Sequence, residues 1–380
     1  MYPIDFFWRA VQRWPQRVAI DTPSEQLSFE QLAQQVCATA SGLLALDPRP
    51  QSRVAICATN SAEHIVALLA VLACGKVWVP LNPKSTQSEI RRITDIVDAS
   101  ILIVEADYGD LVTDARARRI LIGTAEAEQP TLAQLISRHA GAPIPSFDLH
   151  EDATQAIKFT GGTTGAPKGV MQPYRAWMAN IVNQIHAWSF DEQDRYVMAA
   201  PITHGTSTYV LPILAQGGCH VIMDGAGAQA VRDTFRHRGG TVCFMPPTLV
   251  YMLMGLQGTT RADFPHLKRL IYGGAPMPPG EDPRGQEFLR PRARHHLRTD
   301  RGSPDSDRDA ARGLRARGQL GRHRTTHLVQ RPGHHVSRGP LARNRRGGRG
   351  RRARATGDDR VLELAREDGR DAGRRLVAHR

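Results

Sequence analysis

The sequence predicts an α/β fold, parallel β-sheets flanked by helices, over residues 1–277, followed by a tail, residues 278–380, that builds no packed domain. Two observations carry this. Short β-rich runs alternate with helical patterns as far as Tyr272. The net charge of +13 is also unevenly spread. Met1–Gly280 holds 23 basic and 24 acidic residues, whereas 281–380 holds 27 and 13. All 27 of those basic residues are arginine, and the only aromatic there is Phe288. Such a segment has too little apolar surface to offset the entropy of folding, so it is expected to be disordered.

The elements follow in order. Val54-Ala55-Ile56-Cys57 reads as a buried strand, and Ala62–Ala73 as a helix with Ile65, Val66, Leu68, Leu69 and Leu72 on one period. Val77–Pro80 is the next strand, Ser85–Val97 an amphipathic helix, and Ile101–Val104 and Ile120–Ile122 further strands. The Pro-containing stretch Gly141–Glu151 reads as a linker. Beyond it come a strand ending at Phe159, a helix over Pro173–Trp188, and a strand at Tyr196–Ala199. Further strands are read at His220–Met223, Thr241–Met245 and Leu267–Tyr272. Trp177 and Trp188 read as core, and Arg236-His237-Arg238 as a solvated helix end.

No apolar run reaches the ~18 residues of a membrane span, and the N-terminus lacks the basic-then-apolar build of a signal peptide. The five cysteines are scattered without a CxxC pair, so neither a disulfide framework nor a zinc site is expected. A reducing cytoplasm is the expected location.

The run that carries chemistry is Phe159-Thr160-Gly161-Gly162-Thr163-Thr164-Gly165-Ala166-Pro167-Lys168-Gly169-Val170. Glycines let backbone N–H groups approach an anion, threonines add hydroxyl donors, and Lys168 adds a charge. The composition is that of a phosphate cradle. It is not a Walker A loop, because Gly169 rather than Ser or Thr follows the lysine. The plain alternative is a glycine-rich hairpin turn.

This run resembles the signature loop of the adenylate-forming (AMP-binding) superfamily, which includes acyl-CoA synthetases, peptide-synthetase adenylation domains and luciferases. It departs from the usual pattern at the Gly161-Gly162 pair, where a serine is customary. The resemblance continues through Ser28–Leu32, Asn60–Glu63, Gly75–Pro83, Ala200–Gly205 and Tyr272–Met277. It implies the large N-terminal adenylation domain, here partial over 1–277. It also implies an AMP-forming acid–thiol ligase: a carboxylic acid, by expectation a fatty acid, attacks the α-phosphate of Mg²⁺-bound ATP, and coenzyme A then takes the acyl group. Free coenzyme A is preferred to a carrier protein because no carrier-domain sequence is visible. By the same resemblance, Thr160, Gly161, Gly162, Thr163, Thr164, Gly165 and Lys168 would hold the β- and γ-phosphates. His204 would sit beside the carboxylate, and Gly273, Gly274, Ala275 and Pro276 would lie against adenine. No protein metal ligand is assigned.

After Met277 the family pattern stops. The YGxTE motif, the ribose-binding Gly-Asp and the lysine of the second domain are missing, and no lysine follows Lys268. Back-translated and read one base along, with free choice of the wobble bases, Arg290–Ala310 permits GPVLATTYGQTEAPQIVTVM. Arg324–Gln330 permits GRPTLF, and Arg360–Arg380 permits GYWNLPEKTVETLVDGWLRTG. The tail therefore reads as an out-of-frame translation of the same gene, the slip lying within Pro278–Arg290. The chain is accordingly expected to be a weak or inactive form of the ligase. The alternative function is a nucleic-acid or anionic-surface binder working through Arg343–Arg354. Against it, the tail has no aromatics to stack on bases.

Overall fold

The computed structural model describes residues 1–112, 116–124, 129–160 and 168–274, together with two short strands, 360–363 and 377–379. The first half runs α1 (Asp5–Arg13), β1 (Val18–Asp21), β2 (Gln26–Ser28), α2 (Phe29–Leu46), β3 (Arg53–Cys57), α3 (Ala62–Ala73), β4 (Val77–Leu81), α4 (Gln87–Val97), β5 (Ile101–Glu105), β6 (Arg118–Ile122) and α5 (Leu132–Arg138). The second half runs β7 (Thr154–Thr160), β8 (Lys168–Pro173), α6 (Tyr174–Trp188), β9 (Arg195–Val197), α7 (Ser207–Ala215), β10 (Cys219–Val221), α8 (Gly227–Arg238), β11 (Val242–Met245), α9 (Pro247–Gly255) and β12 (Arg269–Tyr272). The two tail strands are β13 (Arg360–Glu363) and β14 (Val377–His379).

Helix starts are written locally. Ser28 accepts from Gln31 N at 3.1 Å while the Gln31 side chain accepts from Ser28 N at 2.8 Å, closing a capping box on α2. Thr86 with Glu89 and Thr131 with Gln134 do the same for α4 and α5.

Two sheets form. One has the order β12-β11-β9-β10-β1-β2, the other β14-β13-β8-β7-β4-β3-β5-β6. Strand alternation explains how they stack. In β3, Val54 and Ile56 face the main core, whereas Ala55 and Cys57 face a second cluster with Ile90 and Val97 of α4. In β11, Val242 faces the main core, whereas Cys243 and Met245 face a third cluster with α8 and α9. The main core holds residues of both sheets and of α2 and α3, and every residue of α3 except Glu63 is buried. The helices α2 and α3 thus lie between the sheets, with α4 outside one and α8 and α9 outside the other. Strands buried on both faces read as continuous apolar runs, which is why β3, β4 and β5 stand out in the sequence.

Among the described residues the parallel prediction holds for most pairs, with four antiparallel exceptions, β1/β2, β7/β8, β8/β13 and β13/β14. Neither β1, β2 nor β8 was expected. The first two are only 4 and 3 residues long. β8 carries Gly169 and ends at Pro173, residues that weaken a strand signal. Gly141–Glu151 is irregular or turn, as a linker should be.

The expectation of a disordered tail concerns residues that lie outside the described ones, with one exception. Over its seven described residues the chain forms β13 and β14, where no structure was expected. β13 pairs antiparallel with both β8 and β14.

One smaller reading changes. Arg236 and Arg238 are not simply solvated: Arg236 Nε donates to buried Asp263 at 2.8 Å, and Arg238 pairs with buried Asp21 at 2.7 Å. A carboxylate taken out of water needs such a partner. The five cysteines are all free and buried, and burial pushes the Cys57, Cys74, Cys219 and Cys243 thiols up to about 12, so none is a ready nucleophile.

Candidate functional site

In open α/β sheets, ligands bind beyond the carboxyl ends of the strands. The parallel pairs β3/β4 and β4/β7 send β4 and β7 to one such edge. β9, β11 and β12 run parallel in the other sheet. The residues singled out from the sequence leave these same ends.

β7 and β8 form a hairpin with Lys158 opposite Val170 and Thr160 opposite Lys168. The glycine-rich run is therefore the connection of a β-hairpin, the geometry of the plain alternative. The two readings are compatible, because a hairpin presents its loop at a fixed strand end. Gly161, Gly162, Thr163, Thr164 and Gly165 lie outside the described residues, as do Ala275 and Pro276. Lys168 opens β8 with an exposed side chain.

His204 lies at the centre of a π-type turn, Ile202–Thr206, that leads into α7, and its backbone there is non-helical (φ −119°, ψ −132°). Its side chain is exposed, so it is not a satisfied core histidine. The core histidines are His64 and His220, both fully buried. The turn is held by Asn60, whose Nδ2 donates to the carbonyls of Met198 and Ala200, both at 2.9 Å, and whose Oδ1 accepts from Ile202 N at 2.8 Å. Asn82, immediately after β4, brings Nδ2 to 3.4 Å from His204 Nε2. Asn60 and Asn82 both stand in the segments that carried the resemblance, but no role could be read for them; their partners are more than 100 residues away.

Gly273 and Gly274 follow β12. The positive φ of Gly274, +86°, explains its glycine, since L-residues rarely adopt it. A Cβ there would meet nothing within 4 Å. A Cβ on Gly205 would come within 2.7 Å of the Phe244 ring, and one on Gly273 within 3.5 Å of the same ring. Phe244, from β11, thereby brings the His204 turn and the Gly273-Gly274 stretch together. It stacks on Tyr209 with centroids 5.6 Å apart, and Tyr209 stacks on Tyr196, also at 5.6 Å. This aromatic wall borders the turn and was not legible beforehand, since aromatic residues in strands and helices usually mean core.

Lys158 is the other unforeseen residue. It lies two residues before Thr160, half-buried, with Nζ 2.8 Å from Ser207 Oγ. Its ammonium lies 5.2 Å and 5.3 Å from the ring centroids of Trp78 and Trp177. Desolvation brings its pKa down to about 8.

Among the described residues, no three His, Cys, Asp or Glu side chains gather into a metal site. No described helix is long and apolar enough to cross a membrane.

Comparison with known proteins agrees with this geometry. A feruloyl-CoA synthase of Amycolatopsis sp is 27% identical over 273 residues, covering 71% of this chain and 54% of that protein. An indoleacetate–CoA ligase of Aromatoleum aromaticum is 28% identical over 271 residues, covering 70% and 53%. The chain thus spans about half the length of these relatives. The ATP-bound crystal structure of MatB from Rhodopseudomonas palustris shares the fold, with a TM-score of 0.65 and 23% identity over 73% of this chain and 56% of that one. The family described as AMP-binding enzyme matches residues 7–291, fourteen residues past Met277, after which no family motif is read in the sequence. With its two stacked sheets, its hairpin loop and its His204 turn in the family's order, the chain belongs to the AMP-binding enzyme family.

Proposed function

We propose that this chain carries the ATP- and acid-binding part of an AMP-forming acid–CoA ligase. The observation that supports the reading most is the convergence at the strand ends: the β7–β8 hairpin of one sheet and the His204 turn and Gly273-Gly274 stretch of the other are linked through Ser207 and Phe244.

The chemical demand is to bring a carboxylate anion to a polyanion. Lys168 and the backbone N–H groups of Thr160–Gly165 would neutralise the β- and γ-phosphates. A glycine-rich strand connection ending in a lysine suits that task. His204, exposed beside Asn82, would orient the acid toward the α-phosphate. Gly273 to Pro276 would border the adenine. Mg²⁺ would arrive with ATP and supply charge neutralisation at the phosphates. Coenzyme A would take the acyl group, as in acid–CoA ligases generally. The acid would be a fatty acid, or an aromatic one as the names of the feruloyl-CoA synthase and the indoleacetate–CoA ligase suggest for those relatives.

The chain's own sequence limits the outcome. Residues 278–380 lack the motifs that serve ribose and the second half-reaction, and we read them as an out-of-frame segment. Binding of ATP with little turnover is the result.

Calorimetric titration with Mg-ATP tests the binding part. Lys168→Ala should weaken ATP binding by about 10-fold or more, the loss of one charge-assisted contact. An unchanged affinity would remove Lys168, and with it the hairpin loop, from the site.

A further inference from the structure

We propose that Lys158 is a positioning residue for His204: its ammonium, through the Ser207 hydroxyl, fastens the His204 turn to the strand that runs into the glycine-rich loop. Three contacts make the chain of attachment. Lys158 Nζ donates to Ser207 Oγ at 2.8 Å. Ser207 Oγ donates onward to the carbonyl oxygen of His204 at 2.8 Å. Lys158 itself lies on β7, in register with Val170 of β8 and two residues from Thr160. A single side chain therefore spans the two elements that must hold an acid and a triphosphate in one geometry.

The surroundings make the ammonium's role specific. No carboxylate pairs with it among the described residues. The elements packed around it contribute the indoles of Trp78 (β4) and Trp177 (α6) and the hydroxyl of Ser207 (α7). The other titratable or charged groups on these elements and on β8 are Lys168, Tyr174, Arg175, His186 and Tyr209, with His204 on the adjoining turn, and none ion-pairs with Lys158. The two indoles attract the ammonium, but Ser207 Oγ is the acceptor that gives its N–H a direction. The charge is retained where it has one hydrogen-bond acceptor, and that acceptor fixes His204. Losing the proton leaves an amine that donates more weakly to Ser207, so the attachment loosens as the pH rises through the region of about 8 set by the buried site.

The proposal rests on the reading of His204 as the residue beside the acid, but its test is read on the imidazole itself and needs neither substrate nor turnover. Histidine-labelled full-length chain is followed by NMR, the His204 imidazole being assigned through His204→Gln. Lys158→Met and Ser207→Ala should each shift the His204 signal while leaving His64 and His220 in place, and Lys158→Arg should restore part of the shift. A folded Lys158→Met protein with an unmoved His204 signal overturns the proposal. Should Lys158→Met fail to fold, Ser207→Ala and the unmodified chain carry the test. Between pH 7 and 9 the unmodified chain should show a tryptophan-emission change, and a second His204 shift, with a common midpoint near 8. A tryptophan transition without any His204 shift, or an unmoved His204 in Ser207→Ala, also overturns it. If His204 moves as expected while Lys168→Ala leaves ATP binding unchanged, the attachment stands and the ligase reading falls.

Discussion

Asp194→Ala is expected to lower folding stability by about 3–5 kcal/mol, the cost of removing one partner from a buried ionic cluster. Asp194 is fully buried. Its Oδ1 accepts from Thr241 Oγ at 3.1 Å and Lys268 Nζ at 3.0 Å, and its Oδ2 accepts from Asp191 N and from Arg269 Nη1, both at 3.0 Å. These contacts tie the start of β9 to the segments leading into β11 and β12, the strands whose far ends carry the His204 turn and Gly273. Removing the carboxylate takes the acceptor from Thr241 Oγ and Arg269 Nη1, while Lys268 keeps Asp191 Oδ1 at 3.2 Å and Arg269 Nη2 keeps the Ser189 carbonyl at 2.8 Å. Lys268→Ala should cost much less, because Lys268 keeps 30% of its side-chain exposure and its charge can be hydrated. Urea unfolding followed by tryptophan fluorescence checks both. A cost below about 1 kcal/mol for Asp194→Ala would mean that the cluster adds little net stability.

Acidification between pH 6.5 and 4 is expected to destabilise the fold through His64 and His220. His64 Nδ1 lies 2.8 Å from the carbonyl oxygen of Thr59 and His220 Nε2 lies 3.0 Å from that of Val210, so each neutral ring donates one N–H. The other nitrogen of each ring is buried without a partner. Protonation would place a second N–H, and a charge, where nothing accepts them. Desolvation accordingly lowers both groups from 6.5 to about 4. The unfolded chain takes up its protons first, near 6.5, so stability is full above that value and falls as the pH drops toward 4. By pH 5 the loss is on the order of 2 kcal/mol for each histidine. Melting temperatures measured at pH 7, 6 and 5 should fall in step, and the fall should flatten in a His64→Gln/His220→Gln double variant. The paired carboxylates Asp21 and Asp263 are held below their ordinary value of 3.8, so they begin to contribute only at more acidic pH. A melting temperature flat between pH 7 and 5 would contradict this assignment.

Much of the architecture could be read from the chain because burial on both faces leaves a strong mark. The apolar runs at β3, β4 and β5 and the helix Ala62–Ala73 lie close to where they were expected. What stayed hidden depended on distant partners. β8 carries Gly169, ends in proline and gains its place by pairing with β7 and β13. The antiparallel hairpin therefore escaped notice, although its connecting loop was the most conspicuous run in the sequence. The candidate site divides the same way. Lys168, His204 and the Gly273-Gly274 pair stand out by motif and order. Asn60, Asn82, Phe244 and Lys158 acquire their roles from contacts with the His204 turn that a linear reading does not display. His64 and His220 show the converse: histidines look functional in a sequence, yet these two are sealed into the core.

The central proposal, that the chain joins the N-terminal part of an ATP-binding region to a segment unable to complete the reaction, is tested most directly by pyrophosphate exchange. The full chain is incubated with ATP, labelled pyrophosphate and, in turn, fatty, aryl and arylacetic acids. Exchange at or near background with every acid, by a protein that still binds Mg-ATP, is the predicted result. Robust acid-dependent exchange would contradict it, because the chain as written would then activate its acid without the motifs that residues 278–380 lack.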